Sequence, residues 1–228
     1  MKYLYHLTDA KNLPNILKNG LKPGIGERSQ IVGEEIPAIY LSKRADIPYW
    51  RIILGQTVLL QISNVDELNL EYFQYSCYGE YLCKEVIKPE NIKRIYINKP
   101  TEQHMKDLCF NYLFSISQVI EYVIRFYHNQ TSLTESDIYK MLDSCLLVVN
   151  RLDYSVMDKK EIKRMLEDYG DSGEYTMVDT YLNTDTRLYE QICNFKEDSL
   201  TEKCKELNKF IKTNFKGCLN VDTGGYSF

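Results

Sequence analysis

The strongest constraint on this chain is a change in the period of its apolar residues near residue 98. Before it, apolar residues come in short runs between Gly, Pro and polar turns: KYLYHL, AIYLS, TVLLQIS and KRIYIN. These runs are rich in β-branched and aromatic residues and strand-length, so they predict β-strands. After it, Met105, Leu108, Tyr112, Ile116, Val119, Val123 and Phe126 recur at three- and four-residue steps, the spacing of one helix face. The chain therefore reads as α+β, with a sheet-forming domain over 1–98 and an all-α domain over 99–228. The boundary is expected near Asn98–Thr101, where Pro100 ends the last strand and can open the first long helix.

Two helices are expected among the strands. KNLPNILKN tolerates Pro14 in a first turn and has Gly20 placed to end it. RADIPYWRIIL carries Pro48 near its start. In the second half, TSLTESDIYKMLDSCLLVVNRL opens with a Ser/Thr-x-x-Glu/Asp cap and carries Ile138, Met141, Leu142, Cys145, Leu146 and Val149 on one face. KKEIKRMLEDY, DTRLYEQICNF and TEKCKELNKFIKTNF continue in the same style.

Composition excludes several classes. With 228 residues and 44 % apolar content the chain can bury a core and is not disordered. No stretch approaches ~18 consecutive apolar residues, so no membrane span is expected. MKYLYHLTDAKN lacks the long apolar run of a secretory signal, and a cytoplasmic protein is expected. The net charge of −4 does not announce a nucleic-acid binder. It is unevenly held: 12 Lys+Arg against 11 Asp+Glu over 1–98, and 16 against 21 over 99–228. Seven cysteines form no C-x-x-C pair and three histidines stand at no ligand spacing, so reduced thiols and no metal are expected. Nineteen tyrosines fit half-buried positions whose hydroxyl reaches water.

Three short pieces hold the candidate chemistry. LYHLT ends a strand on His6, PAIYLS places Tyr40 and Ser42 in and after a strand, and GEYLCKEVIKPENIKRI opens with Glu80. Taken singly, none specifies a reaction, because a strand His or Tyr is commonly a core residue and Glu80 could be an edge carboxylate.

Together, in this order, the pieces resemble the ADP-ribosyltransferase superfamily. The likeness is to the His-Tyr-Glu branch shared by diphtheria-type toxins and poly-ADP-ribose polymerases. Tyr5-His6-Leu7-Thr8 is similar to that branch's first-strand motif. Ile16-Leu17-Lys18-Asn19-Gly20-Leu21 is similar to its Ile-x-x-x-Gly-Leu element, and Ala38-Ile39-Tyr40-Leu41-Ser42 to its Gly-Ile-Tyr-Phe-Ala strand. Tyr49 stands near its second tyrosine, and Glu80 with Ile87-Lys88-Pro89-Glu90-Asn91-Ile92 resembles its closing element. HLTDAKNLPNILKNGL and Glu80-Tyr81-Leu82-Cys83 also look like the DNA-modifying toxins of the superfamily. The likeness covers roughly residues 3–98 and leaves the role of 99–228 open.

The resemblance implies a split β-sandwich that binds NAD as co-substrate, cleaves the nicotinamide–ribose bond and transfers ADP-ribose to a protein, DNA or RNA acceptor. It assigns Glu80 to the developing oxocarbenium charge, where a carboxylate acts only as charge appears. His6 would hold a ribose hydroxyl, Tyr40 would stack on the nicotinamide ring, and Tyr49 would stack on its other side. Backbone groups at Leu7, with Thr8 nearby, would fix the carboxamide, and Ser42 is counted among the NAD-binding residues. Arg28, in the loop KPGIGERSQIVGEEI, is the candidate for the pyrophosphate. Leu7 departs from the family's Gly, so its side chain must point away. Glu80 and Glu85 are five apart and would face opposite sides of one strand, so only one can enter the cleft. Glu80 is preferred, with Glu85 the alternative.

No G-x-G-x-x-G follows a strand, no P-loop or G-x-S-x-G is present, and GIGERS lacks the third Gly. Competing readings are a tRNA 2′-phosphotransferase-like enzyme, an NAD glycohydrolase, and a catalytically silent NAD- or ADP-ribose-binding module. In the phosphotransferase a His would be expected where Tyr40 stands. Whether the setting is a toxin, phage counter-defence or housekeeping is open at this level.

Overall fold

A computed structural model describes residues 2–26, 29, 36–56, 58–73, 78–96, 98–127, 129–158, 160 and 199–215. The chain divides into two compact units, Met1–Met105 and Lys106–Phe228. It is mixed α+β, with a six-stranded antiparallel sheet and several helices.

The first unit is built on strands β1 (Leu4–Thr8), β2 (Ile39–Ser42), β3 (Val58–Ile62), β4 (Leu70–Phe73), β5 (Glu80–Cys83) and β6 (Ile92–Ile95). Their spatial order is β4-β5-β2-β1-β3-β6. The pairings are uneven. β1 and β3 are in register at five positions, from Leu4 opposite Ile62 to Thr8 opposite Val58. β1 and β2 share one pair, Tyr5 opposite Ser42. The sheet is thus two three-stranded halves, β4-β5-β2 and β1-β3-β6, joined at a narrow seam.

The apolar residues explain this layout. Leu4, Ile39, Leu41, Val58, Leu60, Ile62 and Cys83 alternate onto one core, which Ile16 and Leu21 cover. Ile16 lies on helix α1 (Leu13–Asn19), which has Pro14 in its first turn and ends at Gly20. Gly20 has φ +81, a conformation that only glycine adopts cheaply. It also lies against Ile87, because Leu21 and Ile87 exchange both backbone hydrogen bonds at 2.9 Å. Helix α2 (Ile47–Leu54) carries Pro48 in its first turn, buries Ile47, Trp50 and Ile53, and contacts β1.

Helix α3 spans Glu102–Tyr127. Thr101, one residue past the expected Pro100, caps it: His104 donates its backbone N–H to Thr101 Oγ1 at 3.4 Å. The His104 ring answers, its Nδ1 accepting from the Thr101 N–H at 3.0 Å, the reciprocal geometry that Glu usually supplies. The division between the units therefore falls one turn into α3, beyond the residue-98 boundary that the change of period suggests.

The described residues of the second unit form helices. Within it, α3 buries Leu108, Cys109, Ile116, Val119 and Val123. Helix α4 (Glu135–Val149) begins with a capping box between Thr134 and Asp137 and buries Ile138, Leu142, Cys145, Leu146, Val148 and Val149. It packs on α5 (Ser199–Phe215), where Lys203 pairs with Asp143 and Asn150 donates to Glu206 at 3.1 Å. KKEIKRMLEDY and DTRLYEQICNF lie outside the described residues, apart from Lys160. No helix among the described residues is long and apolar enough to cross a membrane.

Candidate active site

Antiparallel register brings the polar residues of β2 and β5 together. Ser42 lies directly opposite Glu80, and Tyr40 directly opposite Leu82. Residues two apart in a strand share a face, so Tyr40, Ser42 and Glu80 form one patch with Tyr40 diagonal to Glu80. Ser42 and Glu80 are both buried, and Glu80 is only 5 % exposed. Among the described residues Glu80 is the one buried side chain that carries a formal charge. Burying a carboxylate costs stability that an apolar residue at the same place would not.

His6 stands on the other face of the sheet from this patch. On β1 it lies opposite Leu60, and alternation puts it on the face of Leu4 and Leu60, not that of Ser42. Beyond the Tyr5–Ser42 pair no further register joins β1 to β2, and the His6 imidazole spans the gap to the Tyr40 carbonyl at 2.9 Å. A carbonyl only accepts, so Nδ1 carries the proton. Burial pushes the imidazole below its ordinary pKa, while the Tyr40 hydrogen bond pushes it up; burial is the larger influence. The neutral ring then presents Nε2 as an acceptor, suited to a hydroxyl or N–H of a ligand.

The neighbours of His6 fit an approach along this edge. Leu7 is buried, so its side chain is tucked into the unit. Thr8 is buried and its Oγ1 accepts from Asn12 Nδ2 at 3.3 Å, which leaves the hydroxyl proton to be donated elsewhere. On the β2 side of β1, past Tyr5, no strand of the described residues covers the backbone.

Glu85 is placed differently from the strand-face reading. β5 ends at Cys83, so Glu85 is not on the strand and alternation does not apply to it. It is exposed, and its Oε1 accepts the Asn69 N–H at 2.8 Å. Of the two carboxylates, Glu80 alone is on the sheet beside Tyr40 and Ser42.

Tyr49 is half-buried on α2 and already has ring partners. It stacks on Tyr78 with centroids 4.5 Å apart and planes 9° from parallel, and meets the His104 ring edge-on at 5.0 Å. Tyr78 and His104 were not singled out by the sequence pattern. Tyr78 sits in the aromatic-rich run YSCYGEY, two residues before Glu80, which was the one available hint. Arg28 and most of its loop, residues 27–28 and 30–35, lie outside the described residues. No group of three or more His, Cys, Asp or Glu among the described residues converges as a metal site.

No protein-family model, curated protein or solved structure matches the chain.

Proposed function

We propose that the sheet unit is an NAD-dependent ADP-ribosyltransferase, of split β-sandwich type, with its donor site at the seam between β1 and β2. The observation that carries this reading is the buried Glu80 carboxylate beside Tyr40 and Ser42, next to a strand edge from which His6 offers an acceptor. An NAD molecule needs those elements. Its ribose hydroxyls can donate to His6 Nε2, and its carboxamide needs one backbone donor and one backbone acceptor, which the edge of β1 near Leu7, where no strand of the described residues pairs, would supply. The half-buried Tyr40 gives a flat surface suited to a cationic ring.

In the reaction, the bond between the nicotinamide nitrogen and ribose C1′ breaks and its electron pair leaves with neutral nicotinamide. Positive charge develops on the ribose, and the Glu80 carboxylate stabilises it. The acceptor nucleophile bonds to C1′ and releases a proton. A fixed carboxylate in a water-poor site acts strongly on charge that exists only in the transition state. Arg28 would meet the pyrophosphate. The acceptor is a protein, DNA, RNA or, in the glycohydrolase form, water.

The test is incubation of purified protein with NAD, following free nicotinamide by chromatography and NAD binding by calorimetry. Glu80→Gln is expected to abolish release while NAD affinity stays within a few-fold. Full turnover in Glu80→Gln, or loss only in Glu85→Gln, would overturn the assignment. A wild-type protein that neither releases nicotinamide nor binds NAD would favour the phosphotransferase or another ligand.

A further inference from the structure

We infer that Tyr49 and Tyr78 are positioning residues that hold Glu80 in place. The inference rests on the NAD reading above. It departs from the role that the resemblance implies for Tyr49.

Geometry is the first argument. A third ring inserted between two others needs about 7 Å between their planes, twice the thickness of an aromatic ring. Tyr49 and Tyr78 have their centroids 4.5 Å apart with planes 9° from parallel, so no ring fits between them and Tyr78 takes one face of Tyr49. Tyr49 is also braced at its edge by His104, whose ring lies 76° from its plane. Tyr49 is therefore engaged on one face and one edge by the protein itself.

Connectivity is the second. Tyr78 is joined to Glu80 through Gly79 alone. Two consecutive residues of α2 hold Tyr78: Tyr49 by stacking and the buried Trp50 edge-on, at 6.1 Å and 77°. Gly79 lets the chain pass Tyr72 of β4, since a Cβ there would lie 2.7 Å from the Tyr72 hydroxyl. Glu80 is itself paired in both β5 ladders, opposite Ser42 and Phe73, and this clamp holds the chain just before it. Catalytic carboxylates tolerate little misplacement, and an ångström of drift can cost about 100-fold in rate. Rings at Tyr49 and Tyr78 would then govern rate and leave donor affinity alone.

The experiment compares Tyr49→Leu, Tyr78→Leu, the double variant, and Tyr49→Phe and Tyr78→Phe. Nicotinamide release gives kcat, and calorimetry with NAD gives Kd. Each leucine variant is expected to lower kcat about tenfold or more with Kd within about twofold. The double variant should be no worse than either single one, because both break the same stack. The phenylalanine variants keep the rings and should restore kcat. A Tyr49→Leu Kd raised about tenfold with kcat intact would make Tyr49 a donor wall and overturn the inference, as would multiplicative losses in the double variant. If NAD binds but no nicotinamide is released, a Kd raised about tenfold in Tyr49→Leu still overturns the inference. If a leucine variant does not fold, His104→Leu removes the brace alone, and lower kcat with unchanged Kd is again expected; a changed Kd overturns the inference. Failure of wild-type protein to bind NAD would instead remove the donor reading on which this rests.

Discussion

Gly20→Ala is the substitution whose cost can be worked most directly from the structure. Gly20 combines φ 81 with ψ 176, a region that is essentially glycine-only and costs an L residue about 1–3 kcal/mol. An added Cβ would also lie 2.3 Å from the Ile87 carbonyl oxygen and 3.3 Å from its carbon. That carbonyl cannot retreat freely, because it accepts the Leu21 N–H while Ile87 donates to the Leu21 carbonyl, both at 2.9 Å. Losing that pair adds about 0.5–1.5 kcal/mol per bond. Leu21 and Ile87 are both buried in the core that covers the sheet, so displacement also disturbs packing. The sum is about 2–6 kcal/mol. For a unit near 100 residues, each kcal/mol lowers Tm by about 4–8 °C, so a fall of at least about 8 °C is expected. The chain has a single tryptophan, Trp50, buried in the sheet unit, so its fluorescence follows that unit's unfolding selectively. A Gly20→Ala protein that melts within about 4 °C of wild type would refute both the strain and the close-approach arguments.

Two further outcomes follow from the buried titratable groups. His6 has a folded pKa held below its unfolded value of 6.5, so below pH 6.5 the unfolded chain takes up a proton that the folded protein refuses. Stability contributed by the neutral ring is intact above pH 6.5 and falls as pH drops towards the folded value. Urea midpoints read from Trp50 at pH 7.5 and 5.5 should show this loss, and His6→Gln should shrink it; an unchanged difference would refute the assignment. Cys109 and Cys145 are buried, with burial the main cause that pushes both thiols up to about 12. Both should resist alkylation at pH 8 in native protein and react in urea, as read by peptide mass spectrometry; rapid native labelling of either would contradict their packing.

Much of the fold was legible from local sequence because local rules decide it. Pro14 and Gly20 bracket α1, Pro48 opens α2, and a Thr-x-x-Asp cap begins α4, each at the place its chemistry predicts. β4 escaped notice for the same reason. Its four residues, Leu70–Phe73, pair Glu71 and Tyr72 facing solvent with half-buried ends, so no period-two signal stands out. The site was legible only as a set of residue types. His6, Tyr40 and Glu80 could be picked out, but the face each occupies depends on register, and register is set by partners far along the chain. The seam that lets His6 reach Tyr40 depends on where β1 and β2 part, which neither strand's composition encodes. Glu85 was misread because strand length, not alternation, decides its place. The clamp on Glu80 joins Tyr49, Tyr78 and His104, which share no motif and meet only after folding.

The strand order also says how this unit must fold. Only β4 and β5 are neighbours both in sequence and in the sheet, apart from the minimal contact of β1 with β2. β1, made first, must wait for β3 before its main ladder can form, and β2 must wait for β5. Every such closure costs chain entropy before its contacts reward it, which places the sheet among slow, high-contact-order topologies. The His6 edge and the Glu80 strand belong to halves that close separately, so the proposed donor site would exist only after the last long-range pairing is complete. A nascent or partly folded chain would thus carry every candidate residue without their arrangement.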